Sequence, residues 1–310
     1  TVGLICLTQN VTICKGARKV TTGAGGKFSF TMHGNESKTM LGNPSSFLIS
    51  AAMPDNGPSV QTRFEITQTA VEVPAITFWQ PAALEVTADR TNIRYSWTEI
   101  ANVQKPVYAA VISAGETEVW QQETGPSGQL DARVAEDVRG QFRAIATSTV
   151  EGSGTKFITA HHSQRTDLQA AAGPALSRGS SCAVAGQSGP VAVSPCVFTD
   201  GTFGGQFPTQ HCAAASPTPA PSSAPCPANS WVSVDLGATR QVSAVLLHGL
   251  HAGSEVIVES SSDGSQWTQR GKVKATSYTR LTFAPAQARH VRVRAADGVI
   301  YALRELSVWA

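Results

Sequence analysis

Between Leu84 and Ala160 the chain carries seven short apolar or alternating runs and no helical period long enough to replace them. They are Leu84–Thr87, Ile93–Trp97, Val107–Ile112, Glu118–Trp120, Gln129–Val134, Gln141–Thr147 and Thr155–Ala160. Starts about 10–15 residues apart are the spacing of a β-sandwich. A period of two sends alternate side chains to opposite faces, so each run suits a half-buried strand. The punctuation continues upstream in Val2–Leu7, Val11–Cys14, Phe47–Ala51 and Arg63–Ile66. There, Lys27–Met32 alternates strictly after the Gly23–Gly26 turn and is expected as a strand. Downstream, Trp231–Leu236 alternates, and Asp235 and Gly237 are expected to turn the chain. The apolar run Val242–Leu247 then leads to a polar tip, His248-Gly-Leu-His251.

The expected fold class is all-β, with three tandem β-sandwich modules over residues 1–80, 81–163 and 164–310. The junctions near Pro81 and Arg165 lack the Gly/Ser or Pro run of a long tether. A composition of 41% hydrophobic and 15% charged residues is globular. The net charge of +2 gives no reason to expect nucleic acid. No apolar run reaches the roughly 18 residues that would span a bilayer, so membrane insertion is not expected. The opening Thr1–Cys6 already reads as a strand, which is expected of a mature or trimmed chain.

Six cysteines fall into neighbouring pairs, Cys6/Cys14, Cys182/Cys196 and Cys212/Cys226, and none lies in a CxxC motif. Disulfides in an exported protein are therefore expected, rather than zinc. Local pairing is the simplest scheme, although Cys182 could instead reach Cys212 or Cys226. Cys212 and Cys226 bracket a Pro/Ser/Ala-rich excursion that cannot form a ladder strand.

Four segments in order carry a resemblance: Trp231–Gly237 with Gln241–His248, Ser262-Asp-Gly-Ser-Gln-Trp267, Ala288–Arg294 and Leu303–Val308. Together they resemble the discoidin, or factor V/VIII C-type, family, above all its family 32 carbohydrate-binding modules, over roughly residues 166–310. Val197-Phe-Thr-Asp-Gly201 resembles the early segment of that family. The resemblance implies that the last module is a discoidin-like jelly roll. The middle module more weakly resembles a fibronectin type III module through Trp97 and Tyr108. The first, through Val11–Ala17, Val20–Gly23 and Gly26–Phe30, resembles a carboxypeptidase-regulatory-like sandwich.

No G-x-S-x-G elbow, H-E-x-x-H or P-loop is present. No catalytic residue or catalytic cofactor is expected, and the chain is read as not an enzyme. His161 and His162 are read as solvated junction histidines. The resemblance implies ligand binding by loops at one end of the jelly roll, where Phe203, Phe207, His211, His248, His251 and Tyr278 supply ring faces and polar edges. The competing reading makes His248 a buried structural residue. Trp231, Trp267 and Trp309 are read as packing. The resemblance also implies a structural Ca2+ with Asp200, Glu305 and Thr202 among its oxygen ligands. Against it stands a plain reading in which Asp200 caps its own turn and Glu305 is solvated.

The leading expectation is an exported, non-catalytic protein, secreted or at the cell surface, that binds a glycan or another cell-surface ligand. The alternatives are a structural spacer or protein-binding subunit of a cell-surface assembly, and an accessory region of a larger secreted hydrolase.

Overall fold

The structure, a computed structural model, describes residues 2–6, 18–30, 46–65, 71–152, 154–186, 189–204, 230–252, 255–296 and 300–310. The described residues are all-β apart from two single-turn 3-10 segments, and they build tandem β-sandwich modules ending in a discoidin-like one. The first module contributes β1 (Val2–Cys6), β2 (Arg18–Val20), β3 (Ser46–Ala52) and β4 (Ser59–Glu65). Alternation in β4 buries Val60, Thr62 and Phe64 and exposes Gln61, Arg63 and Glu65. Phe47, Ile49, Phe64 and Phe157 meet in the core of this module. The segment Lys27–Phe30 forms no ladder, contrary to its alternation, yet Phe28 and Phe30 still pack on that core. Apolar burial alone does not supply the backbone partner a strand requires.

The middle module contains β5 (Leu84–Ala88), β6 (Asn92–Trp97), β7 (Val107–Ala114), β8 (Thr117–Thr124), β9 (Ser127–Asp131), β10 (Arg139–Gly152) and β11 (Thr155–His162). Six of the seven expected runs become strands throughout; in Gln129–Val134 the strand ends at Asp131 and Ala132–Val134 forms a 3-10 turn. β5, β6 and β9 form one layer; β11, β10, β7 and β8 form the other. Between them stack Trp79, Tyr95, Trp97, Tyr108 and Phe142.

The modules are not separate beads. β4 pairs with β11 from Ser59/His162 to Arg63/Ile158, so one nine-stranded sheet runs through the first two. Where the last module was expected to begin, β12 (Thr166–Gln169) instead extends this sheet by pairing with Arg139–Phe142 of β10. His161 and His162 are therefore 4% and 8% exposed, not solvated junction residues. The pairing of β4 with β11 places them inside a sheet.

The last module holds β13 (Ser181–Gly186), β14 (Gly189–Val193), β15 (Trp231–His248), β16 (His251–Ala252), β17 (Glu255–Ser261), β18 (Thr268–Lys274), β19 (Tyr278–Ala295), β20 (Ile300–Ala302) and β21 (Glu305–Trp309). Where Asp235 and Gly237 were expected to turn the chain, β15, 18 residues long in all, runs on through an irregularity between Asp235 and Arg240. Asp235 Oδ1 accepts the Gly237 N–H at 2.9 Å, and Gly237 has φ +75°. The local chemistry of a turn is satisfied, but β19 pairs on both sides of it, and the result is a bulge. The Cys182–Cys196 disulfide is formed, with an S–S distance of 2.01 Å. The other four cysteine side chains lie outside the described residues.

Candidate functional site

The second half of β15 explains where the expected ligand end goes. Val242, Val245 and Leu247 face the core of the last module. Ala244 and Leu246 face the other way and join the core of the middle module, together with Trp120, Phe203 and Trp309. A strand buried on both faces needs an almost unbroken apolar run, and Ala244-Val-Leu-Leu247 is one. This was the available sequence signal that the end of β15 is covered.

What covers it is β8. His248, the last residue of β15, is fully buried. Its Nδ1–H donates to the Val119 carbonyl at 2.9 Å, which leaves Nε2 unprotonated and without a partner. Its ring lies 5.2 Å from Trp120 and 4.8 Å from Phe203, edge to face with both. Burial pushes its pKa down to about 4. Tyr278 sits opposite His248 in the ladder, and its hydroxyl donates to Glu118 Oε1 at 2.7 Å. Burial, followed by that carboxylate, raises the Tyr278 pKa. Arg304 Nη1 donates to the Glu118 carbonyl at 3.3 Å.

His248 and Phe203 do converge, as the topology implied, but inside a module junction. Neither presents a surface to a ligand, and the Tyr278 hydroxyl is engaged. Expecting an accessible His248, Phe203 and Tyr278 is therefore corrected: the middle module docks on that end of the jelly roll. His251 remains exposed, on β16. Phe207 and His211 lie outside the described residues.

A second polar cluster lies along the same junction. Glu136 is fully buried; it accepts from Ser307 Oγ at 2.7 Å, Arg178 Nε at 3.1 Å and the Ala175 N–H at 3.2 Å. Glu305 is 1% exposed, so the reading as a solvated strand residue is corrected. Its Oε1 accepts the Gly201 N–H at 3.1 Å, and its buried Oε2 has no partner. Burial, then the charges of Glu136 and Asp200, push its pKa up to about 8. Exposed Asp200 takes the Thr202 N–H and Oγ, both at 2.8 Å, on Oδ1. The described residues contain no group of three His, Cys, Asp or Glu side chains placed to hold a metal. A cation here would draw on the orphaned Glu305 oxygen, on Asp200 and on main-chain carbonyls, a donor set that suits Ca2+.

The outer sheet face of the last module offers another surface. Trp231 and Trp267 are half-buried and outside the core, unlike Trp309, so their reading as packing residues is corrected. The Arg292 guanidinium lies 4.1 Å from the Trp267 ring and 5.8 Å from that of Trp231. Glu259 binds both Arg292 and Arg294. Register puts Trp231 opposite Arg294 and Arg292 opposite Glu259.

Residues 218–293 match the family model of the NedA-like, galactose-binding domain. The matched segment holds β15, β17, β18 and most of β19, the strands that build this face and lead to His248. Solved structures similar to the chain include chitosan-binding module 2 of a chitosanase/glucanase from Paenibacillus sp. IK-5, in complex with chitotriose. It is 20% identical over 44% of this chain and 99% of that one, with a TM-score of 0.30. CpGH89CBM32-5 from Clostridium perfringens, in complex with GalNAc-β-1,3-galactose, is 19% identical over 26% of this chain and 66% of that one, with a TM-score of 0.24. The C-terminal domain of a chitobiase from Bacteroides fragilis is 17% identical over 38% and 79%, with a TM-score of 0.29. No curated protein matches the chain.

Proposed function

We propose that this chain is an exported, non-catalytic glycan-binding protein whose last module holds the sugar. The match of residues 218–293 to a family described as a galactose-binding domain carries this reading. The ligand is taken at the part of the loop end that β8 leaves open. There, exposed His251 adjoins the loop 274–277, held alongside by the Leu250 N–H to Ser277 carbonyl bond at 2.9 Å. An imidazole edge with the Lys274 ammonium and the hydroxyls of Thr276 and Ser277 suits a hydroxyl-rich ligand. The orphaned Glu305 oxygen beside Asp200 supports a structural Ca2+ that braces the neighbouring junction.

The Trp231–Trp267–Arg292 face favours a second reading, in which a sugar ring stacks on the outer sheet. Titration calorimetry with galactosides and chitooligosaccharides separates the two. His251→Ala should weaken binding about tenfold under the first reading and Trp267→Ala under the second, the loss of one to two contacts. Folded protein that takes up neither class of sugar would refute the function itself.

A further inference from the structure

The outer face of the middle sheet holds a partly buried arginine with no direct partner among the described residues. Among the other partly buried arginines, Arg133 is matched to Asp131, Arg178 to Glu136, and Arg292 and Arg294 to Glu259, while Arg270 donates to Ser260 Oγ and Arg304 to the Glu118 carbonyl. Arg143 on β10 is different. Among the described residues it forms no ion pair, and its buried Nε has no hydrogen-bond partner. His162 pairs with Ile145, two residues along β10 from Arg143 and on the same face. It is 8% exposed, and its buried Nδ1 is also without a partner. Arg165, three residues beyond His162, is held by the Gln141 amide oxygen at 3.2 Å and, through its main-chain N–H, by the Asn56 carbonyl at 3.1 Å. Burial and then the neighbouring charges push His162 down to about 4, and burial followed by Arg165 lowers Arg143. A buried polar nitrogen without a partner costs stability, and an anion that enters to accept from it relieves the cost.

A groove of about 740 Å3 opens beside this cluster, lined by Arg139, Arg165, Gln141, Gln169, Asn56 and Leu168. Its two carboxylates, Glu116 and Asp167, are exposed. Glu118 on β8, which also accepts the Tyr278 hydroxyl, and exposed Glu116 both act on Arg143 through charge without forming an ion pair with it. The volume is that of a site for a small ligand of a few rings. Amide side chains match hydroxyls, and guanidinium forks match the paired oxygens of a carboxylate or sulfate.

We propose that Arg143, Arg165 and His162 form an oxyanion site that holds the carboxylate or sulfate of an acidic saccharide lying in this groove. The site is on the middle module, apart from the sugar site of the last one. The saccharide part rests on the glycan-binding reading, whereas the oxyanion part does not.

The test uses the full chain and four probes: a trigalacturonate, a sulfated galactose trisaccharide without carboxylates, the neutral galactose trisaccharide, and inorganic sulfate. One of the two acidic trisaccharides should bind at least about tenfold more tightly than the neutral one, and which it is identifies the oxyanion. Arg165→Gln should remove that preference. Arg143→Met should remove it too, along with the rise in Tm that sulfate gives the natural chain. Without ligand, Arg143→Met should melt no lower than the natural chain, because it removes a guanidinium whose buried Nε has no hydrogen-bond partner. If it fails to fold, Arg165→Gln on the groove wall carries the test alone. Sulfate binding that Arg143→Met or Arg165→Gln abolishes, with no preference for either acidic trisaccharide, overturns the saccharide and keeps the anion site. No response to any anionic probe, or an acidic preference unchanged in the folded variants, overturns the whole.

Discussion

Replacing His248 by alanine should damage the fold, whereas a loop-tip histidine would tolerate the change. Two effects set the size. The Val119 carbonyl, buried against the Nδ1–H at 2.9 Å, loses its donor, and an unsatisfied buried group costs about 1–3 kcal/mol. The imidazole also fills space between Trp120 and Phe203, and emptying such a site costs about 2 kcal/mol. Together they predict a loss of about 3–5 kcal/mol, read as a shifted midpoint in urea at constant m. The pH dependence checks the same contact independently. The folded pKa of about 4 lies below the ordinary histidine value of 6.5. Between those values the unfolded chain binds the proton and the folded chain does not, so stability is complete above about 6.5 and falls as the pH drops toward 4. The fall is about 3 kcal/mol for this one group. His248→Asn keeps a donor near Nδ1 but cannot titrate, so the natural-minus-variant difference should follow that slope. A loss below about 1 kcal/mol for His248→Ala, or an unchanged acid slope in His248→Asn, would show that β8 does not dock on this end.

Other expected outcomes follow from single contacts. Glu305 has its folded pKa raised to about 8 from 4.5, so its contribution is present below the lower value and lost as the pH rises to the higher. Glu305→Gln should therefore stabilise the chain at pH 8 by a few kcal/mol, since each tenfold change in proton affinity is worth roughly 1.4 kcal/mol; a fall in Tm at that pH in calcium-free buffer would contradict it. Calcium should raise the Tm of the natural chain and not that of Glu305→Gln, as differential scanning calorimetry can show. The paired change Cys182→Ala and Cys196→Ala opens a bridge spanning 14 residues and should cost about 3 kcal/mol in denaturant melts. Gly140→Ala would drive its Cβ into the Ser113 carbonyl on β7. A loss of about 1–3 kcal/mol is expected for such overpacking, visible as a lower Tm.

Strand identity was written locally. Alternation in Ile93–Trp97 set period and inward face before any partner was known, because the pleat of a single strand sets which side chains share a face. Four of the seven middle runs, those of β7, β8, β10 and β11, are extended by the structure by two or more residues, since hydrogen bonding to a neighbour carries a ladder past its apolar part. The neighbouring Cys182 and Cys196 made their bridge legible for the same reason, proximity along the chain. Partner choice was not local. The pairing of β4 with β11 joins segments about a hundred residues apart and buries His161 and His162. Val119 and His248 are 129 residues apart, and neither segment alone indicates which surface will cover the other. Asp235 and Gly237 show the limit from the opposite side: their turn chemistry forms, yet β19 pairs across it and keeps one strand. The one sequence trace of docking was Ala244–Leu247, apolar on both faces where a solvated strand would alternate. It declares that a second face is buried, and only the complementarity of two folded surfaces decides against what, because that depends on shapes that exist only after each module has formed.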